Sequence, residues 1–298
     1  MPKRRSEVKT GGSRMIPIDG GFRVWTKKVG SSRIKVLTLH GGPGATHEYL
    51  ECFEDFLPRN GIEFYYYDQL GSGNSDAPDD PSLWTVERFT REVEQVRQGL
   101  GLEKFYLYGQ SWGGMLAIEY ALRYGQHLRG VVISNMVASI ADYQAYIGRL
   151  RRRLPESVRR VLDEYEARQD FGNPEYQKVL LERVYARHLC RVFPFPEPLD
   201  RAFRHMNAAI YNYMQGPNEF VVTGAFKDWD RRKDLGNISV RALLMGARYD
   251  TMDPAAIRRM AASMPNARAV ISERGSHLAM YDDQEWYFRE LIRFLKQK

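Results

Sequence analysis

The chain has 298 residues, 43% of them hydrophobic and 27% charged, with a formal net charge of +7 at pH 7. That balance excludes a disordered protein, and the length suits one α/β core carrying an insertion. Basic residues are interleaved with acids, as where Arg151, Arg152 and Arg153 precede Glu156, or Arg159 and Arg160 precede Asp163 and Glu164. This is the pattern of solvated helix faces, and with no nucleic-acid motif beside it no nucleic-acid partner is expected.

Met1 to Thr10 carries Lys3, Arg4, Arg5 and Lys9 with no apolar run behind it, so residues 1–15 are expected to be a flexible basic tail and not a secretory signal. No apolar stretch approaches the roughly 18 residues of a membrane span. Two cysteines, Cys52 and Cys190, make no disulfide framework and point to a reducing, cytoplasmic setting. From Phe22 the chain alternates strand and helix signals. Phe22 to Val29, Ile34 to Leu39 and the aromatic run Ile62 to Tyr67 read as strands. Trp84 to Leu100 reads as a helix, with Val86, Phe89, Val93, Val96 and Leu100 spaced by threes and fours. Phe105 to Tyr108 is a strand, Ser111 to Tyr124 a helix, and Val131 to Ser134 a short buried strand.

The rhythm then breaks. Residues 137–235 hold helical patterns interrupted by Pro155, Pro174, Pro194, Pro196, Pro198 and Pro217, as expected of a helical subdomain inserted into the core. Alternation resumes with strands at Val240 to Met245 and Arg268 to Ile271, a helix at Pro254 to Ser263, and a last helix from about Asp283. The expectation is an α/β core over 16–136 and 236–298, its largely parallel sheet covered by helices on both faces and its site beyond the carboxyl ends of the strands.

Gly109-Gln-Ser111-Trp-Gly113 follows a strand and opens a helix, the context in which a G-x-S-x-G turn lifts a nucleophilic serine above the sheet. A serine there, and not an aspartate, argues against chemistry in which a carboxylate attacks. The glycines of His40-Gly-Gly-Pro-Gly44, directly after a strand, allow close approach of backbone N–H groups. Gly42 and Trp112 are the expected oxyanion donors, with Gly41 as the alternative and His40 as a scaffold residue. In the chain order serine, acid, histidine, the base is His277, in a loop after a strand. The acid is Asp250; Asp253, followed by Pro254, reads better as a helix N-cap. No metal-ligand spacing, P-loop or dinucleotide fingerprint is present, so no metal or cofactor is expected. Gly71-Ser-Gly73 reads as a structural turn.

HGGPG at 40–44, YDQLGSGNSD at 67–76, GQSWGG at 109–114 and GPNEF at 216–220 together resemble the proline iminopeptidases, serine exopeptidases of the α/β-hydrolase fold. The resemblance runs from about Gly20 to the end. It implies release of an N-terminal residue, preferably proline, from a short peptide or amino-acid amide. It also implies that Glu219 of GPNEF binds the substrate's free amine, and that the helical insertion is a cap over the site. Some members of the family carry a second glutamate two residues before the triad aspartate. Arg248 stands there in this chain, and a cation beside the amine would repel it unless it points away or pairs with Glu219. The same triad without amine recognition would serve a carboxylesterase, a lactonase or a general amidase.

Overall fold

Runs dominated by apolar and aromatic residues on both faces, such as Ile62–Tyr67 and Phe105–Gln110, suit strands in the interior of a sheet covered on both sides, and every residue of both is buried. The computed structural model describes residues 10–297. Among them are strands β1 (Thr10–Pro17), β2 (Arg23–Val29), β3 (Ile34–Leu39), β4 (Ile62–Tyr67), β5 (Phe105–Gln110), β6 (Leu128–Ser134), β7 (Ala242–Ala247) and β8 (Ala267–Ser272). They form one sheet in the order β1-β2-β4-β3-β5-β6-β7-β8, antiparallel at β1, β2 and β4 and parallel from β4 onwards.

Parallel neighbours need crossovers, and helices supply them. Helix α1 (Val86–Gly99) joins β4 to β5 and α2 (Trp112–Tyr124) joins β5 to β6. Helix α1 starts two residues later than its periodicity predicts because the Thr85 hydroxyl accepts the Arg88 N–H and caps it. Between β6 and β7 lie α3 (Ile140–Arg152), α4 (Glu156–Ala167) and α5 (Pro174–Val179), which runs through a π-helical turn at Leu180–Tyr185 into α6 (Ala186–His188). They are followed by α7 (Glu197–Arg204) and α8 (Ala208–Met214). The two ends of this excursion are tied together: Ile140 N–H donates to Trp229 O (3.0 Å) and Arg231 N–H to Ala138 O (2.7 Å). Glu119 of α2 anchors the neck, accepting from Trp229 Nε1 and Arg231 Nε at 2.6 Å each. Helices α9 (Pro254–Ala262), α10 (Ala279–Asp282) and α11 (Gln284–Lys296) complete the chain.

Successive strand residues face opposite sides, and the core divides accordingly. Leu37, Leu107, Val131 and Leu244 belong to one apolar cluster. Val36, Tyr106, Val132 and Leu243 belong to the other, which α11 seals with Phe288, Leu291 and Leu295.

The expected flexible tail is corrected over residues 10–15, which belong to strand β1; residues 1–9 lie outside the described residues. Thr10–Pro17 has two glycines and no alternation, so its strand character is not local. It comes from antiparallel pairing with β2 from Ser13↔Lys27 to Pro17↔Arg23 and from burial of Ile16 against Gly99, where any Cβ would meet the isoleucine methyl at 2.4 Å. Cys52 and Cys190 are free thiols, both buried. Among the described residues no helix is long and apolar enough to cross a membrane.

Candidate active site

Ser111 stands between β5 and α2 with φ 54° and ψ −125°, a conformation L-residues rarely adopt. Such strain costs about 1–3 kcal/mol and persists only where the surroundings over-determine it. Here they do: Ser111 N–H donates to Ser134 O (2.9 Å), while Ser111 O accepts from Gly114 N–H (2.7 Å). The flanking glycines are required by backbone meeting backbone. A Cβ on Gly109 would lie 1.9 Å from Gly113 O, and one on Gly113 would lie 2.2 Å from Leu39 O.

In-register pairing of β5, β6, β7 and β8 brings their carboxyl ends level, so the loops after them converge. Asp250, fully buried after β7, accepts His277 Nδ1–H at 2.7 Å and Met252 N–H at 3.0 Å on Oδ1. Its Oδ2 accepts Asn135 Nδ2–H at 2.6 Å. Burial opposes a charge on His277, but the Asp250 carboxylate and its hydrogen bond outweigh burial, with Glu219 adding to them, so the imidazole is held above its ordinary value of 6.5. Asp253 caps α9 by accepting Ala255 N–H at 2.9 Å and pairs with Arg149 at 2.7 Å, which leaves it no part in the relay. Ser111 and His277 line one cavity of about 310 Å³. With Nδ1 committed to Asp250, Nε2 is the nitrogen left for the serine. No direct Ser111–His277 hydrogen bond is made among the described residues, and in a free enzyme such contacts are commonly long.

The loop after β3 is held by a polar network. Gly41 N–H donates to Tyr49 Oη (2.6 Å), Tyr49 Oη–H to Gln110 Oε1 (2.9 Å), and Gln110 Nε2–H to His277 O (3.1 Å). The Gly41 amide is therefore occupied. Those of Gly42 and Trp112 have no acceptor among the described residues, and Gly42 sits at φ 109° on the cavity wall. His40 is fully buried and accepts Gln69 N–H on Nε2 (3.0 Å) while Nδ1–H donates to Gly41 O (2.9 Å), which fixes a neutral tautomer. Burial is the main cause that lowers its pKa to about 4, so it is a scaffold group. Gln69 passes the link on by accepting Trp112 Nε1–H at 2.8 Å. The Gly73 turn wraps Asp68, whose Oδ2 accepts Asn74 N–H at 3.0 Å.

Glu219 faces the same cavity. The turn that presents it needs Gly216 at φ 119°, where a Cβ would meet Val221 O at 2.5 Å. Its carboxylate accepts Tyr143 Oη–H on Oε2 (2.8 Å) and Tyr211 Oη–H on Oε1 (2.7 Å), and Tyr185 Oη accepts its backbone N–H (3.2 Å). Two tyrosines thus fix the carboxylate and a third its backbone, all from separate helical segments, and each carboxylate oxygen keeps acceptor capacity.

A family model of the alpha/beta hydrolase fold matches residues 35–284. A proline iminopeptidase of Flavobacterium johnsoniae is 47% identical over 289 residues, covering 94% of this chain and 97% of its own. The chain belongs to the proline iminopeptidase family of α/β hydrolases. It is a serine hydrolase. Among solved structures, VinJ superposes with a TM-score of 0.92 at 32% identity, over 97% of this chain and 99% of that one. The proline iminopeptidase of Mycobacterium smegmatis gives a TM-score of 0.87 at 32% identity, over 95% and 97%.

For this family member Arg248 is not beside Glu219. Its side chain is 62% exposed, 3.6 Å from Glu273, and stacked 5.6 Å from the Tyr249 ring centroid. It lines a different cavity, with Tyr146 and His188. The remaining histidines lie elsewhere: His47 with Asp68 (2.7 Å), His205 with Glu48 (2.9 Å), His188, through Nδ1–H, with Tyr249 O (2.8 Å), and His127 beside Gln126 Nε2 (3.3 Å). Sequence reasoning missed Asn135, whose φ of 53° just past a strand aims its amide at Asp250. An asparagine directly after a short buried strand was the available signal, since asparagine tolerates that region. It also missed the pairing of the chain after α6 with the His277 loop. His277 N–H donates to His188 O (3.1 Å), Leu278 N–H to Leu189 O (2.8 Å) and Ser276 Oγ–H to Leu189 O (3.0 Å). Asp282 clasps the pair, accepting Arg191 N–H and Ser276 N–H at 2.7 Å each. Among the described residues no group of three or more His, Cys, Asp or Glu side chains is arranged to hold a metal ion.

Proposed function

We propose that the chain is a serine exopeptidase that releases an N-terminal residue, preferably proline, from short peptides or amino-acid amides. The helical segment 137–235 serves as a cap over the site. Ser111 Oγ attacks the first carbonyl carbon while His277 Nε2 takes its proton, and Asp250 holds the imidazolium without accepting that proton. The developing oxyanion is received by the amides of Gly42 and Trp112, each worth about 3 kcal/mol of barrier in comparable sites. His277 then protonates the departing amine, leaving an acyl-Ser111 ester. Water, deprotonated by the same imidazole, releases the free amino acid and restores the serine.

The observation that carries this reading is Glu219, a carboxylate on the wall shared with Ser111 and His277. A free N-terminus is an ammonium, and a carboxylate pre-oriented by two tyrosine hydroxyls binds it with charge-assisted hydrogen bonds. The relatives named proline iminopeptidase, matched over nearly the whole chain, agree with it. The test is turnover of proline p-nitroanilide beside its N-acetylated form and p-nitrophenyl acetate, for the wild type and Ser111→Ala. Expected is a strong preference for the free amine, abolished by Ser111→Ala. Equal cutting of the blocked amide, or hydrolysis of the ester alone, would mark an amidase or carboxylesterase instead.

A further inference from the structure

The cavity that holds Ser111 has two chemically different walls. One carries Glu219 with Tyr185 and Tyr211, and Tyr143, which binds Glu219 from behind, belongs to the core cluster that also holds Ile210 and Phe220. The other is apolar and belongs to the opposite cluster: Leu189 after α6, Leu199 and Ala202 of α7, with Phe203 and Met206 beside them. Helix α7 is fixed there by Arg201, which pairs with Glu51 at 2.6 Å and Glu48 at 3.6 Å and so turns its charge onto the core's carboxylates. Among the described residues lining this cavity there is no lysine or arginine, and besides the catalytic imidazole and tyrosine hydroxyls Glu219 is the one ionisable group.

We infer that the apolar wall is the leaving-group subsite, and that this enzyme selects substrates in which the amine released is apolar and carries no carboxylate next to the scissile bond. The inference rests on the amine-anchoring role of Glu219. Once the ammonium is at Glu219 and the first carbonyl at Ser111, the departing part must lie along the remaining wall. A side chain such as phenylalanine there removes apolar surface from water against Leu199, Phe203 and Met206. The carboxylate of a free dipeptide would instead be desolvated with no cation to receive it and with Glu219 in the same cavity. Amides, arylamides and longer peptides, whose next group is a neutral peptide bond, escape that penalty.

The test compares kcat/KM for Pro-Phe-NH2, Pro-Phe-OH and Pro-Gly-NH2, with proline p-nitroanilide as the reference substrate. Expected is a preference of about tenfold or more for Pro-Phe-NH2 over each of the other two, the range one pocket contact commonly gives. Phe203→Ala should narrow the Phe/Gly ratio several-fold. Met206→Arg, a change at a half-buried position on the cavity wall, should narrow the amide/acid gap by supplying the missing cation. Pro-Phe-OH cut as well as Pro-Phe-NH2, or ratios unmoved by both variants, would overturn the inference. Proline p-nitroanilide left uncut would instead overturn the proposed function itself, so the two failures are separable.

Discussion

Replacing Glu219 by glutamine keeps the shape of the side chain and removes only its charge. The fold should tolerate this, because the turn is held by Gly216 and by Tyr143 Oη–H, shared between Glu219 Oε2 and its backbone carbonyl, and the carbonyl, at 2.5 Å, remains its acceptor without the charge. A glutamine Oε1 still accepts one tyrosine hydroxyl, and the other hydroxyl can accept from Nε2. What disappears is the ionic part of the bond to the substrate ammonium. Hydrogen bonds to a charged partner contribute about 1.5–3 kcal/mol, so KM for proline p-nitroanilide should rise roughly 10- to 100-fold at about 1.4 kcal/mol per decade. Hydrolysis of p-nitrophenyl acetate, which has no amine, should change by no more than about twofold. A second signature is independent of substrate chemistry. The Glu219 charge helps to hold His277 above its ordinary value, so the acidic limb of the ester's pH profile should move to lower pH in Glu219→Gln. Steady-state kinetics on both substrates across pH reads all three effects. Equal losses on amide and ester, with no movement of the limb, would refute the assigned role.

Because Asp250 raises the His277 pKa above 6.5 and catalysis needs the neutral ring, kcat/KM should fall on acidification with a midpoint above 6.5; a midpoint below it would contradict the buried pair. Acid should also destabilise the fold through His40. Its folded pKa is depressed from 6.5 to about 4, mainly by burial, with Asp68 opposing and His47 assisting. Between those values the unfolded chain binds a proton that the folded one refuses. Stability is therefore lost as pH falls through that window, by about 3 kcal/mol in all, and urea unfolding across it should flatten in His40→Asn. Gly113→Ala places a methyl 2.2 Å from Leu39 O and should destabilise by roughly 4 kcal/mol. Gly125→Ala, with open space around its Cβ, should be neutral or stabilising by up to ~1 kcal/mol in the same urea assay.

The parts of the site legible in the sequence are those whose chemistry is local. The turn around Ser111 and the glycines after β3 are demands of a few consecutive residues, and the order of strand ends puts Asp250 and His277 in neighbouring loops. That the Gly41 amide is occupied depends on Tyr49, eight residues on, which no local pattern announces. Tyr143, Tyr185 and Tyr211 come from three helical segments, and no spacing rule connects them to Glu219. Arg248 was ambiguous for the same reason: position along the chain put it near the acid, while the direction of its side chain took it out to Glu273 and Tyr249. Strand β1 was invisible because its partner, and not its own pattern, makes it a strand.

The pairing of residues 188–189 with the His277 loop makes the position of the imidazole depend on a segment far from it in the chain. Two main-chain bonds and the Asp282 carboxylate span that seam, so lifting the chain after α6 pulls on the very loop that presents the imidazole. The loop that carries His277 is therefore held from the inserted segment as well as by Asp250.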